Sequence, residues 1–217
     1  MYRNMKHLII VGARGWGREV YASTLVCPAY LKKEFDIKGF LDSKLSAFDG
    51  LNGNYPPILC SPEEYEIQMD DVFFVAMGAS EWRKYYVDLI TAKGGKFQTI
   101  ICEGNCVNPT ACIGEGSFIS GWSCVSDNVH IGKHCIVHPF SNIGHNVNIG
   151  NFVTIEAFSF LGGYSEIGDE SVMHVRSTLL RQKKIGKMAE VGAHSVVIRN
   201  VKDGEHVFGN PAKKIVY

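Results

Sequence analysis

The chain has 217 residues, and its 22 basic side chains balance its 22 acidic ones. That leaves no basic excess of the kind a nucleic-acid groove or an anionic membrane surface requires. No segment approaches the roughly 18 apolar residues of a membrane span, and the run Leu8–Val11 is too short for a signal peptide and leads into glycines. Seven cysteines without a CxxC pair argue against a disulfide framework or a zinc ribbon and fit reduced thiols in the cytoplasm.

In chain order, Lys6–Val11 reads as a buried strand and Gly12–Gly17 as a glycine-rich turn. Arg18–Lys32 reads as a helix, Asp36–Leu41 as extended, and Asp71–Met77 (DVFFVAM) as a second buried strand. A helix from Glu81 to Lys93 follows, stopped by Gly94–Gly95. Strands alternating with helices predict a small parallel sheet, a Rossmann-like domain over residues 1–98. The turn Gly12, Ala13, Arg14, Gly15, Trp16, Gly17 sits between a strand and a helix, where backbone amides can receive a phosphate. It departs from GxGxxG spacing, and Arg14 and Trp16 crowd it, so a purely structural turn is the competing reading. Asp42 closes the second strand, where an acid can accept hydrogen bonds from a ribose or simply cap a solvated turn.

From Ile101 an aliphatic residue or Met returns at every sixth position through Val197, seventeen times without an insertion. The residue two places earlier is mostly small or β-branched, as at Ser117, Ser123, Ser141 and Ser159. The residue after it is often glycine, as at Gly114, Gly132, Gly144, Gly162 and Gly192. A period of six fits neither a helix nor simple strand alternation. It does fit a parallel β-helix, whose coils of three short strands stack about 4.8 Å apart with one aliphatic per face pointing inward. Five to six coils over residues 99–217 are expected, with the glycines at the bends and GNPAKKI in a C-terminal cap. The cysteines at 106, 112, 124 and 135 read as fillers of small slots in the repeat. Phe140, Phe152, Phe158 and Phe160 fall at or near corners, where they suit packing against a neighbouring subunit or a loop rather than binding a cofactor.

Taken together, GARGWGREV, GFLD, the hexad array with Ile143-Gly-His145-Asn, and GNPAKKI resemble one family over nearly the full length. It is the bacterial sugar acyltransferase family that includes sialic acid O-acetyltransferases and UDP-amino-sugar N-acetyltransferases. The resemblance implies an acyl-CoA-dependent acyltransferase with a left-handed β-helix, working as a homotrimer with acetyl-CoA between subunits and no metal. The nucleotide part of a sugar substrate would bind the first domain through Gly12, Arg14, Gly15, Trp16, Gly17 and Asp42. His145 matches the general base, and Gly162, Gly163 and Gly192 match positions along the pantetheine arm.

The chain departs from that family in two places near the thioester. Asn146 stands where an acid often follows the base and stays a catalytic candidate, and Thr154 stands where a second histidine is expected and stays a candidate for contact with the acetyl-CoA. Stacking at 18 residues per coil puts Asp127, His145, Gly163 and Arg181 on one edge, so Asp127 is a candidate to orient the imidazole. Glu156 could act from a neighbouring subunit. Trp16 also replaces the family's usual histidine in the first turn. Two other functions stay open: a trimeric sugar-nucleotide-binding scaffold with impaired catalysis, and a γ-carbonic-anhydrase-like zinc enzyme using His130, His134 and His138. His138 and His174, with Glu156 between them, share one outer face.

Overall fold

The computed structural model describes residues 5–215. The chain forms two compact units that meet in sequence at Ile100 and Ile101.

The first unit contains β1 (Lys6–Val11), α1 (Gly15–Leu25), α2 (Pro28–Leu31), β2 (Phe35–Leu41), β3 (Ile58–Cys60), β4 (Asp71–Val75), α3 (Ser80–Ala92) and β5 (Lys96–Phe97). All five strands are parallel, in the order β3-β2-β1-β4-β5. Leu8 to Val11 in β1 and every residue of β4 are buried, which explains why these strands read as continuous apolar runs: both faces are covered. The expected single helix over Arg18–Lys32 is two helices. Pro28 has no N–H to continue the first and instead opens the second at its first position. α1 also begins earlier than expected, at Gly15, so the glycine-rich turn supplies its first residues. The edge strands β3 and β5, three and two residues long, are too short for any periodicity to announce.

The second unit is the left-handed parallel β-helix, built from two-residue strands six residues apart. Partners across its three faces differ by 18 residues, as in Val125 with Ile143, Ile131 with Ile149, and Val137 with Ile155. The repeated aliphatics from Ile119 to Val197 fill the prism, none more than 5% exposed. Burying each contributes about 1.5–3 kcal/mol. Against that stands the corner geometry: every sixth residue from Trp122 to His194 has φ between 51° and 64°, and none of them is glycine. A left-handed residue costs about 1–2 kcal/mol. Burial of the inward side chain in each hexad therefore outweighs the strain of its corner.

The repeated glycines do different work from the one expected. They are not the left-handed residues of the bends. They stand where adjacent coils press backbone on backbone: a Cβ at Gly114 would lie 2.6 Å from the Gly132 carbonyl, and one at Gly144 would lie 2.8 Å from Leu161 O. The small slots also have a polar reason. The hydroxyls of Ser117, Ser123, Ser141 and Ser159 donate to carbonyls fifteen residues ahead, at Gly132, His138, Glu156 and His174, and so tie each coil to the next. Of the four cysteines read as slot fillers, only Cys135 is one; its Sγ donates to Gly150 O at 3.0 Å. Cys106, Cys112 and Cys124 instead occupy the outward position of their strands and reach the surface. The cap expected from GNPAKKI is a hairpin in which His206–Phe208 pairs with Glu190–Val191 and then with Lys213–Lys214.

Candidate active site

His145 stands on an exposed corner of the β-helix, in the turn that follows Asn142–Ile143. Asn146, at φ 59°, bends the chain so that its own amide oxygen Oδ1 lies 3.0 Å from His145 Nδ1. An amide oxygen only accepts, so this contact sets the proton on Nδ1 and leaves the Nε2 lone pair open. Tyr164, one coil further on, meets the imidazole edge to face at 5.0 Å. Gly163 makes room for the ring: a Cβ there would lie 2.8 Å from both Cε1 and Nε2. The Gly163 N–H, beside that ring, has no hydrogen-bond acceptor among the described residues.

The expected stacking holds along the backbone. Asn146 N–H donates to Asp127 O at 2.9 Å, Tyr164 N–H to His145 O at 3.0 Å, and Gln182 N–H to Gly163 O at 3.1 Å. The Asp127 carboxylate turns toward the preceding coil and takes the Thr110 hydroxyl at 2.7 Å, while Asn146 Oδ1 is the atom that meets His145 Nδ1. Asn146 was among the expected catalytic residues, though read as the loss of an acid, and Tyr164 was missed altogether. Adding 18 to 146 finds Tyr164, but not the tilt of its ring.

Other predicted residues fall elsewhere. Glu156 is engaged within its own chain, accepting from Val175 N–H at 2.9 Å and pairing with His174 Nδ1 at 3.3 Å. Thr154 is buried. Gly162 and Gly192 have packing reasons of their own, since a Cβ would strike the Arg181 backbone in one case and the Phe208 ring in the other. His134 is buried and stacks on Phe152 at 5.1 Å. Among the described residues no three His, Cys, Asp or Glu side chains are grouped to hold a metal ion.

The first unit carries a concave pocket of about 400 Å³ at the carboxyl ends of β1, β2 and β4. Gly12, Arg14, Trp16, Gly17 and Asp42 line it, as the motif predicted, while Gly15 does not. Gly12 has φ 105°, and a Cβ on Gly17 would strike Gly12 O, so these two glycines let α1 start hard against β1. The N-terminal end of α1 carries positive partial charge toward this pocket, and Arg14 adds a cation at its rim. Asp42 is buried at the end of β2. Its oxygens accept from Ala13 N–H at 2.9 Å and Lys44 N–H at 2.8 Å, so the carboxylate braces the turn against the end of β2. Sequence reasoning missed the aromatic wall of Trp82 and Tyr86 on α3; burial pushes the Tyr86 phenol above its ordinary range and keeps it a donor.

A pocketed parallel-sheet unit followed by a β-helix with an edge histidine defines an acyltransferase architecture of the hexapeptide-repeat type. The comparisons narrow it. Residues 7–90 match the family model described as the PglD N-terminal domain. Among solved structures, the chain is similar to the acetyltransferase domain of PglB from Neisseria gonorrhoeae FA1090, with 26% identity and a TM-score of 0.85, covering 97% of this chain and 100% of that one. The same domain in complex with acetyl coenzyme A matches at 25% identity and TM-score 0.85, covering 98% and 100%. WeeI from Acinetobacter baumannii AYE matches at 25% identity and TM-score 0.84, covering 97% and 100%. No curated protein matches the chain. These findings support the family that the sequence resembles, bacterial sugar acyltransferases of the hexapeptide-repeat type.

Proposed function

We propose that the chain transfers an acetyl group from acetyl-CoA to an amine or hydroxyl of a nucleotide-linked sugar, in the cytoplasmic assembly of a surface polysaccharide or glycan. The observation that carries this reading is the His145 corner: an imidazole held through Nδ1, with Nε2 open beside the unused Gly163 N–H. Nε2 takes the proton of the acceptor as its nitrogen or oxygen attacks the thioester carbonyl. The Gly163 N–H is placed to receive the oxyanion that forms. Collapse of the tetrahedral adduct expels the CoA thiolate, which takes up the proton that the imidazolium returns.

The similar PglB domain has been solved with acetyl coenzyme A, which supports the same donor here. The pocket of the first unit supports a nucleotide: the α1 amides and Arg14 suit a diphosphate, and Trp82 offers a face on which a base can stack. Because the His145 corner is exposed on a single chain, we place the donor between β-helices of a homotrimer, with Gly162 and Gly163 along the pantetheine arm. The scaffold reading weakens because Asn146, though neutral, fixes the tautomer that a base needs.

Free-CoA release should be measured with acetyl-CoA and a panel of UDP-4-amino sugars, sialic acid and simple amino acids. At least one acceptor should turn over, and His145→Ala should abolish that turnover. Full activity in His145→Ala would overturn the mechanism. Tight acetyl-CoA binding with no turnover on any acceptor would favour the scaffold.

A further inference from the structure

Val107 and Val125 are register partners on one face of the β-helix, with Val125 pointing into the prism at 1% exposure. Side chains alternate along a strand, so the residues just before them, Cys106 and Cys124, share the outward side of the same ladder step. Cys106 is exposed and Cys124 half-buried; both are free thiols. Among the described residues no other two cysteines are register partners: Cys112 faces His130, and Cys135 is committed to Gly150 O.

Neighbouring strands lie about 4.8 Å apart, inside the range of about 4.4–6.8 Å between the Cα atoms of a disulfide. In-register side chains run parallel, however, so their Cβ atoms start near that same spacing, beyond the usual value of about 3.8 Å. A bond between these two sulfurs must draw two coils together. Strain of that kind makes a disulfide easy to reduce.

We propose that Cys106 and Cys124 form a redox-reversible dithiol, a modification site that low-molecular-weight disulfides oxidise to a cross-coil disulfide. Cys106, the more exposed thiol, loses its proton and attacks one sulfur of the small disulfide. One small thiolate leaves, and Cys106 carries the other half as a mixed disulfide. Cys124 then loses its proton and attacks the Cys106 sulfur, displacing the second small thiolate. Two protein thiols become one disulfide, the reagent is reduced to two thiols, and the released protons go to the departing thiolates. Burial and the neighbouring Cys106 thiol hold Cys124 above the ordinary thiol range, so the second step quickens as pH rises.

The site lies close to the catalytic corner along the chain. Cys124 is three residues before Asp127, whose carboxylate holds Thr110 and whose carbonyl holds the Asn146 N–H. The bond would therefore tie together the two coils that precede His145. This inference does not depend on the proposed acyl transfer and is tested without an activity assay.

The reduced full-length protein should be treated with oxidised glutathione, quenched by acid and alkylation, and read by intact mass and a non-reduced peptide map. The expected product has lost two hydrogens, carries no glutathione, links the peptides of Cys106 and Cys124, and reverts with dithiothreitol. In Cys124→Ser the glutathione adduct should persist on Cys106, with a lifetime at least about tenfold longer than in the native chain. Cys106→Ser removes the exposed attacker and gives a second test should Cys124→Ser fail to fold. Stable glutathione on both native thiols, a link that runs to Cys112 instead, or two thiols that alkylate unchanged would each overturn the proposal.

Discussion

The two units shape their surfaces in opposite ways. The first gathers backbone from three strand ends and an aromatic wall from α3 into a concavity, around a turn whose glycines fit no fixed period. The second sets side chains on a convex edge at intervals of 18 residues, so that His145, Gly163 and Tyr164 meet by stacking. A concavity suits holding a ligand that does not change. An exposed corner with one oriented base suits a reaction that draws its remaining walls from elsewhere. The two tasks are separable, so lesions in the β-helix should lower kcat and lesions in the first unit should raise KM.

The largest test is His145→Ala, expected to lower kcat by about 10³-fold with the melting temperature unchanged, as removal of a general base does; an effect confined to KM would break the division. Gly163→Ala is next. Its methyl must displace the imidazole, and misplacement of that order costs about 10²-fold in kcat, again without loss of fold by circular dichroism. On the other side, Trp82→Ala should raise KM for the nucleotide sugar about tenfold, the scale of one lost stacking contact, while kcat and the KM for acetyl-CoA hold steady. The smallest expected effect is from Asp127→Asn. With its carboxylate bonded to Thr110 rather than His145, kcat should change by less than about twofold, within the scatter of a distant polar substitution. A tenfold loss there would return Asp127 to the role the repeat first suggested.

How far each unit was legible follows from the same contrast. In the β-helix, position along the chain converts directly into position in space, so the inward aliphatics, the shared edge and the two-coil spacing of His138 and His174 could be counted out. Atomic partners could not be counted. Whether the carboxylate of Asp127 points forward to His145 or back to Thr110 depends on a side-chain torsion that no repeat encodes, and outward cysteines look like slot fillers when only size is considered. In the first unit, continuous apolar runs announced β1 and β4, and Pro28 gave a reason for a helix break that went unused. Trp82 and Tyr86 stayed hidden because a wall assembled from α3 has no signature apart from the loop it faces. Asp42 was placed correctly, but its task was decided by two amides at hydrogen-bond distance.

The glycines wedged between coils imply a rule of arithmetic for the chain's history. Most answer to backbone a coil away, as Gly114, Gly132, Gly144 and Gly168 do, and each inward aliphatic answers to its counterpart eighteen residues later. A deletion of one residue would throw every later coil out of phase, setting full side chains against backbone where only hydrogen fits. Length can therefore change in whole coils, or by loops extruded at a corner, and in no other increments. The corners, already held in a left-handed twist and open to solvent, are the places where such a chain has freedom to vary.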